Sequence, residues 1–542
     1  MNVGSDIVET SAERDKPCFP LPEFLVCVLA FVLLSIFPVS VPGLHMDEAW
    51  NFIRAHEIAS GSHPLNGSNG YTGTIFQYLL VPVFKIFGYK VAALKIACAF
   101  LNTLTVFFAM LFVRRLYAKK NYHLHWGLLL CTFPVFLTHS RFCIEITALN
   151  PLFFFTGLFF LTKALQAGEP PRRKNYAFLG GALFGLAAYN HIIGIALPAA
   201  IAASAVIFYR REIFRNRLFT VWSLAGFTTG FLPRILGFAH QLISQTHGAP
   251  AAAQGHLGLF NFLIDIVRVP IVFSGIWDGG LVFQRITGEN FLPVVPYVSI
   301  SLLVLIGINF FWLKSRFGRF DRTAVLTIVL YCSAIIVISP GLAIQYFEMP
   351  MLFVPYLLVR LIMPLVNQTA ESRRLLGKAV FFLLVVLNTL YLSANYFSLL
   401  YRTGGKLSVF TIGKRLQDTS NHFIGVKALC QQIKDRKIGV VASQLSIIMP
   451  MAMYDDYPVS ALTFIAIKHN APSPDSIPAS KRSAVIFYNG PTTELNPVWK
   501  RNRDLFYPPA GDSILSGTMV FWLDSGFDPH FKVFVAEPRR SL

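Results

Sequence analysis

The chain returns again and again to long apolar runs separated by short basic clusters, and no other property narrows its fold so far. An α-helix needs about 20 apolar residues to cross the hydrocarbon core of a bilayer. About eleven such segments can be marked, at 21–41, 91–113, 125–139, 144–164, 176–190, 192–209, 218–239, 291–313, 323–340, 344–366 and 377–400. With 54% hydrophobic residues, 14% charged residues and 51 Phe in a chain of 542, the sequence is too apolar for a soluble fold of this size. It reads as a polytopic α-helical membrane protein with a short cytoplasmic amino terminus, residues 1–20. The first segment has no small-residue cleavage site followed by a polar mature region, so it reads as a retained anchor.

The loops give the orientation, because Lys and Arg gather on the cytoplasmic side. Alternate connections carry Arg114-Arg115 with Lys119-Lys120, Arg172-Arg173-Lys174, Arg210-Arg211 with Arg215 and Arg217, then Lys314, Arg316, Arg319 and Arg322, and finally Arg373-Arg374 with Lys378. This alternation places Asp47-Glu48, the 240–290 loop and everything after Tyr401 on the opposite face. The net charge of +19 is thus a topology signal spread over short clusters, and nucleic acid is excluded as a partner. The seven cysteines are scattered, mostly within apolar segments and without a CxxC pair, so neither a disulfide framework nor a zinc site is expected.

Directly after the first apolar run stands Gly43-Leu44-His45-Met46-Asp47-Glu48-Ala49-Trp50. Carboxylates this close to lipid are costly unless a wet cavity or a partner receives them, which makes them functional candidates, although an interfacial turn facing water is also open. The outer loop 42–90 continues with a short surface helix from Glu48 to Ser60. A Gly-, Pro- and Asn-rich break follows, then an apolar stretch, Thr74 to Phe87, too short to span. Trp50 is placed either to stack on a sugar or, more simply, to anchor its helix at the headgroup level.

At these residues the chain resembles the glycosyltransferases of the GT-C superfamily, in particular the protein O-mannosyltransferases and the lipid A aminoarabinose transferases. The resemblance begins at "DEAW", continues through "GTIFQYLLVPVFKIFG" and "VAALKIA", weakens in "FPVFLTHSRFCIEITALNPLFFF" and "GALFGLAAYNHIIGIALPAA", and returns in "QYFEMPMLFVPYLLV". It covers about residues 20 to 400, by order, spacing and sidedness rather than by any one motif. It implies a transmembrane glycosyltransferase domain at 21–400. Such a domain moves a sugar from a polyprenyl-phosphate donor to a lipid, glycan or protein acceptor on the extracytoplasmic face, most readily of a bacterial cytoplasmic membrane. It also implies Asp47 as the base that deprotonates the acceptor, with Glu48 and Glu145 as accompanying acids.

The carry-over has gaps. The aminoarabinose transferases hold an arginine three residues after the aspartate, a lysine before the second surface helix and a late Arg-Tyr pair, whereas this chain has Trp50, Thr72 and Gln345-Tyr346. A phosphate leaving group still needs cations. Lys85, Lys95, Arg141, Arg234, Arg268 and Arg285 are the candidates on the outer half, with His191 and Tyr346 as further substrate-binding residues. Arg141 either pairs with Glu145, four residues on along a helix face, or meets a phosphate. His191 is considered because histidine charges near physiological pH. No HExxH, DxD, Walker or GxGxxG pattern is suitably placed, so no metal, nucleotide or other cofactor is expected. Asp455-Asp456 reads as a solvated turn.

An amphipathic stretch, 257–273, lies in the 240–290 loop. Beyond Tyr401 the apolar runs give way to charges, prolines and the β-like runs "KIGVVAS", "SAVIFYN" and "FKVFVAE", so residues 401–542 read as a small extracytoplasmic α/β domain. A transporter or flippase of lipid-linked sugars is the alternative function. It would favour inverted repeats and paired broken helices, and the sequence shows no such symmetry.

Overall fold

The computed structural model describes residues 21–36, 44, 46–67, 71–117, 121–244, 318–338, 349, 352–366, 369, 371–393, 397, 426–443, 445–455, 462–466, 481–488, 514–516, 519–524, 526 and 531–538. The chain divides into two compact units: Met1–Ile36, His63–Phe76 and Ile96–Phe397 form the first, and Phe37–Ser62, Gln77–Lys95 and Ser398–Leu542 the second.

The first unit is helical. It contains α1 (Leu21–Ser35), most of α4 (Val91–Leu116), α5 (Tyr122–Cys131), α6 (Pro134–His139), α7 (Glu145–Ala148), α8 (Asn150–Gln166), α9 (Pro170–Asn190), α10 (Ala196–Arg215), α11 (Arg217–Ser244), α12 (Arg319–Ile338), α13 (Phe353–Val366) and α14 (Glu371–Leu392). Four described stretches are long and apolar enough to cross a membrane: Val91–Leu116, Glu145–Gln166, Ile192–Arg215 and Arg319–Val337. The expected span 291–313 lies outside the described residues. The expected span 125–139 is two helices. Phe133 is extended (φ −72°, ψ 121°) because the pyrrolidine ring of Pro134 disfavours a helical conformation in the residue before it, and Pro134 then opens α6.

The tightest packing in this unit joins α9 to α11. A Cβ on Gly181 would stand 2.0 Å from the Ser223 carbonyl oxygen, and one on Gly226 would stand 2.0 Å from that of Phe178. The same relation recurs one turn later at Gly185 and Gly230. The two small-xxx-small stripes therefore let the backbones touch, the usual way membrane helices gain dispersion energy where burial from water gives none.

At one end of this unit, next to the basic connections, charge is neutralised internally. Asp321 of α12 is fully buried and accepts from Arg360 of α13 (2.9 and 3.1 Å) and from the hydroxyls of Tyr117 and Tyr356. The Arg360 guanidinium lies over the Tyr117 and Tyr122 rings, 4.5 and 5.2 Å from their centroids. Glu23 of α1 pairs with Arg114 at 2.9 Å and His123 at 3.1 Å.

The second unit joins α2 (Met46–Ala59), most of α3 (Ile75–Phe87), the start of α4, α15 (Val426–Asp435), α16 (Leu445–Tyr454) and a six-stranded sheet. The sheet has the order β2-β1-β3-β6-β5-β4, with β1 (Val440–Ser443), β2 (Thr463–Ala466), β3 (Ser483–Tyr488), β4 (Ile514–Ser516), β5 (Met519–Asp524) and β6 (Phe531–Pro538). β1 runs parallel to β2 and β3, and the remaining pairings are antiparallel. Helix α2 packs on α16, while Phe52, Phe84 and Tyr89 cluster between α2 and α3 with centroids 4.7–5.5 Å apart. Asp455 is not a solvated turn. It is 2% exposed, paired to Lys434 at 2.6 Å, and accepts from the Leu462 N–H at 2.9 Å, which ties α15, α16 and the approach to β2 together.

Candidate functional site

The acidic pair opens α2, where unsatisfied backbone N–H groups and the helix dipole favour negative charge. The two carboxylates have different fates. Glu48 is sealed from solvent and bound to the Lys95 ammonium at 2.5 Å, with the two side chains 0% and 4% exposed. Asp47, one residue earlier and so rotated around the helix, is half-buried. One turn on, Asn51 accepts from the Gln77 amide, which joins α2 to α3 through a buried side-chain bond. The indole nitrogen of Trp50 is buried without a hydrogen-bond partner among the described residues. Lys95, a phosphate candidate by sequence, thus has a carboxylate against it already. Lys85 is exposed on α3. His45, Arg268, Arg285 and Tyr346 lie outside the described residues.

A second polar cluster forms in the first unit, at the end opposite Asp321. The loop 63–74 is pinned there by both neighbouring helices. Gly73 N–H donates to the Asn190 carbonyl and Ile192 N–H to that of Tyr71, both at 2.9 Å, while the Tyr189 hydroxyl donates to the Leu65 carbonyl at 2.8 Å. From α11, Arg234 donates to the Thr72 carbonyl at 2.7 Å and to Asn66 Oδ1 at 3.4 Å, and lies over the Phe238 ring. Arg234 is completely buried, and its Nε and Nη2 have no hydrogen-bond partner among the described residues. Beside it, Asn190 Nδ2 bridges Asn150 Oδ1 and the Glu145 carbonyl, leaving Asn150 Nδ2 and Asn190 Oδ1 without partners among the described residues. The arrangement offers one cation and several neutral donors and acceptors in a dry setting, the composition that binds a phosphate with attached hydroxyls.

Two residues depart from expectation. His191 is 3% exposed, and burial, followed by the adjacent Arg234 charge, pulls its pKa from 6.5 down to about 3. It is neutral near pH 7, with Nδ1 facing the Ile193 N–H at 3.3 Å, so a role through physiological protonation does not apply. Arg141 and Glu145 do not share a helix face, because α6 ends at His139 and Ile144 is extended (φ −110°, ψ 156°) before α7 begins. Arg141 donates to the carbonyls of Leu33 (2.7 Å) and Ile36, which satisfies the open end of α1. Its guanidinium also lies over the Phe397 ring. Glu145 is half-buried at the start of α7.

Several of these partners were not visible in the sequence. Glu48 and Lys95 stand 47 positions apart and Arg234 and Thr72 stand 162 apart, separations that no local periodicity reports. Among the described residues no group of three His, Cys, Asp or Glu side chains is placed to hold a metal ion.

No protein-family model matches the sequence, and no curated protein does. Solved structures do. The crystal structure of ArnT from Cupriavidus metallidurans bound to undecaprenyl phosphate aligns with 95% of this chain and 97% of its own, at 13% identity and a TM-score of 0.57. The apo form of the same protein aligns equally well. The apo oligosaccharyltransferase of Archaeoglobus fulgidus matches at 11% identity and a TM-score of 0.46, over 86% of this chain and 69% of that one. The chain shares the overall fold of that ArnT structure.

Proposed function

We propose that this chain is a membrane glycosyltransferase that moves a sugar from a polyprenyl-phosphate donor to a lipid, glycan or protein acceptor on the extracytoplasmic face, with Asp47 as the base. The observation that carries the reading is the split between adjacent carboxylates. Glu48 is sealed from solvent against Lys95, and Asp47 stands half-buried at the same helix start. An acceptor hydroxyl is a weak nucleophile, and a carboxylate set beside it can take its proton as the sugar is transferred. The fold of an ArnT captured with undecaprenyl phosphate agrees with a polyprenyl-phosphate donor.

Arg234 answers the question raised by the departures from the family pattern. A cation is wanted near Thr72, where the aminoarabinose transferases hold a lysine, and Arg234 delivers one there from α11 by binding the Thr72 carbonyl. Within the first unit the guanidinium and its neutral neighbours suit a phosphate group. Asn190, Asn150 and neutral His191 would serve as hydroxyl partners.

The test is sugar transfer in nanodiscs, with labelled polyprenyl-phosphate sugars as donors and envelope extracts as acceptors. Native protein should release polyprenyl phosphate and label an acceptor. Asp47→Asn should lose about a hundred- to ten-thousandfold in turnover, with expression and melting temperature unchanged. If the variant kept more than about a tenth of native turnover, a loss under about 1.4 kcal/mol, Asp47 would not be the base.

A further inference from the structure

We propose that Tyr454, at the end of α16 beside the C-terminal sheet, is a positioning residue for the acidic turn, holding the backbone that leads into Asp47 and Glu48. The proposal rests on the reading of Asp47 as the base.

The chain enters α2 at Leu44, whose side chain is 2% exposed and whose N–H donates to the Tyr454 hydroxyl at 3.3 Å. This is a long-range bond made three residues before the proposed base. A helix start is otherwise loosely held, because its first N–H groups lack intrahelical partners. Below it, Ala49, Phe52 and Ala55 of α2 are fully buried, and α2 lies against α16. The first turn is therefore gripped by packing along one face and by one hydrogen bond at its entrance.

The tyrosine is itself rigidly placed. The Asp455 carboxylate, next in the chain, is fixed by Lys434 and by the Leu462 N–H, and the Cys430 thiol reaches the Met451 carbonyl across α15 and α16. Burial, with the Leu44 bond opposing and the Glu48 charge adding, pushes the Tyr454 pKa up to about 12. The phenol is therefore protonated under all ordinary conditions, and its oxygen is a constant acceptor. Substrate positioning of this kind matters because an error of about 1 Å can cost about a hundredfold in rate.

Tyr454→Phe keeps the ring and removes the acceptor. A bond of about 1 kcal/mol is lost, so amide exchange at Leu44 should quicken about fivefold at 1.36 kcal/mol per decade. Exchange in α8 and α9 should stay unchanged. Turnover should fall about three- to tenfold, with the donor KM and the melting temperature as in the native protein. Unchanged exchange at Leu44 overturns the proposal whatever the activity. So does faster exchange with native turnover, or a loss of turnover that follows a fall in melting temperature. Exchange is read without catalysis, so failure here is distinct from failure of Asp47 as base, which Asp47→Asn reports by itself.

Discussion

Arg360 and Arg234 are both withdrawn from solvent in the helical unit, yet only Arg360 meets a carboxylate among the described residues. At the Asp321 end, a carboxylate, two phenols and two aromatic faces surround the guanidinium, so the charge is balanced by the fold itself. At the loop 63–74 end, the guanidinium meets one carbonyl, one amide oxygen and a histidine held neutral. A buried charge is costly unless paired. The first end is therefore a finished structural joint, while at the second the guanidinium charge meets no carboxylate among the described residues, which suits the proposed phosphate contact.

That contrast can be broken most severely at the joint. Asp321→Asn leaves Arg360 buried without its counter-ion, and chemical denaturation or melting in detergent should show a loss of about 3–5 kcal/mol. The pair Asp321→Leu with Arg360→Met, which removes both charges, should recover most of that loss. If the single and double variants were equally destabilised, packing rather than charge would govern this end.

The other end should respond in the opposite sense. Arg234→Met removes a buried charge that meets no carboxylate among the described residues and should leave melting in the absence of donor unchanged or raised. The donor KM should rise by about ten- to a hundredfold, the worth of about 1.5–3 kcal/mol for hydrogen bonds to a charged group. Undecaprenyl phosphate should raise the melting temperature of the native protein and not of Arg234→Met, since a ligand stabilises only the state that binds it. A native-sized shift in the variant would remove Arg234 from the donor site.

The smallest effect concerns pH. The native His191 pKa is depressed to about 3, so between that value and 6.5 the unfolded chain binds a proton that the folded chain refuses. The stability this contributes is present above about pH 6.5 and is lost as the pH falls through the window. His191→Asn should flatten that part of the stability profile. A profile unchanged by the substitution would mean that His191 is not held neutral.

Much of the helical plan was legible because bilayer crossing imposes a length and a composition that survive in any single stretch of sequence, as at Val91–Leu116 and Arg319–Val337. The strands Val440–Ser443 and Phe531–Pro538 likewise lie in β-rich apolar runs. Breaks were harder, since the apolar run through Phe133-Pro134 hides the change of direction that the proline imposes. The paired stripes at Gly181, Gly185, Gly226 and Gly230 were present as spacings but acquire meaning only when two helices are seen to touch. At the candidate site, residue identity was legible and pairing was not. Lys95 and Arg234 are equivalent cations on paper, and the fold gives one a carboxylate while leaving two nitrogens of the other unpartnered among the described residues.

The bond between Leu44 and Tyr454 spans 410 positions. During synthesis α2 is made well before its seat on α16, so the acidic turn must wait before its support exists. Contacts of such separation form late and slowly. In the nascent chain the acidic turn therefore stays without its Tyr454 support until α16 has been made and folded.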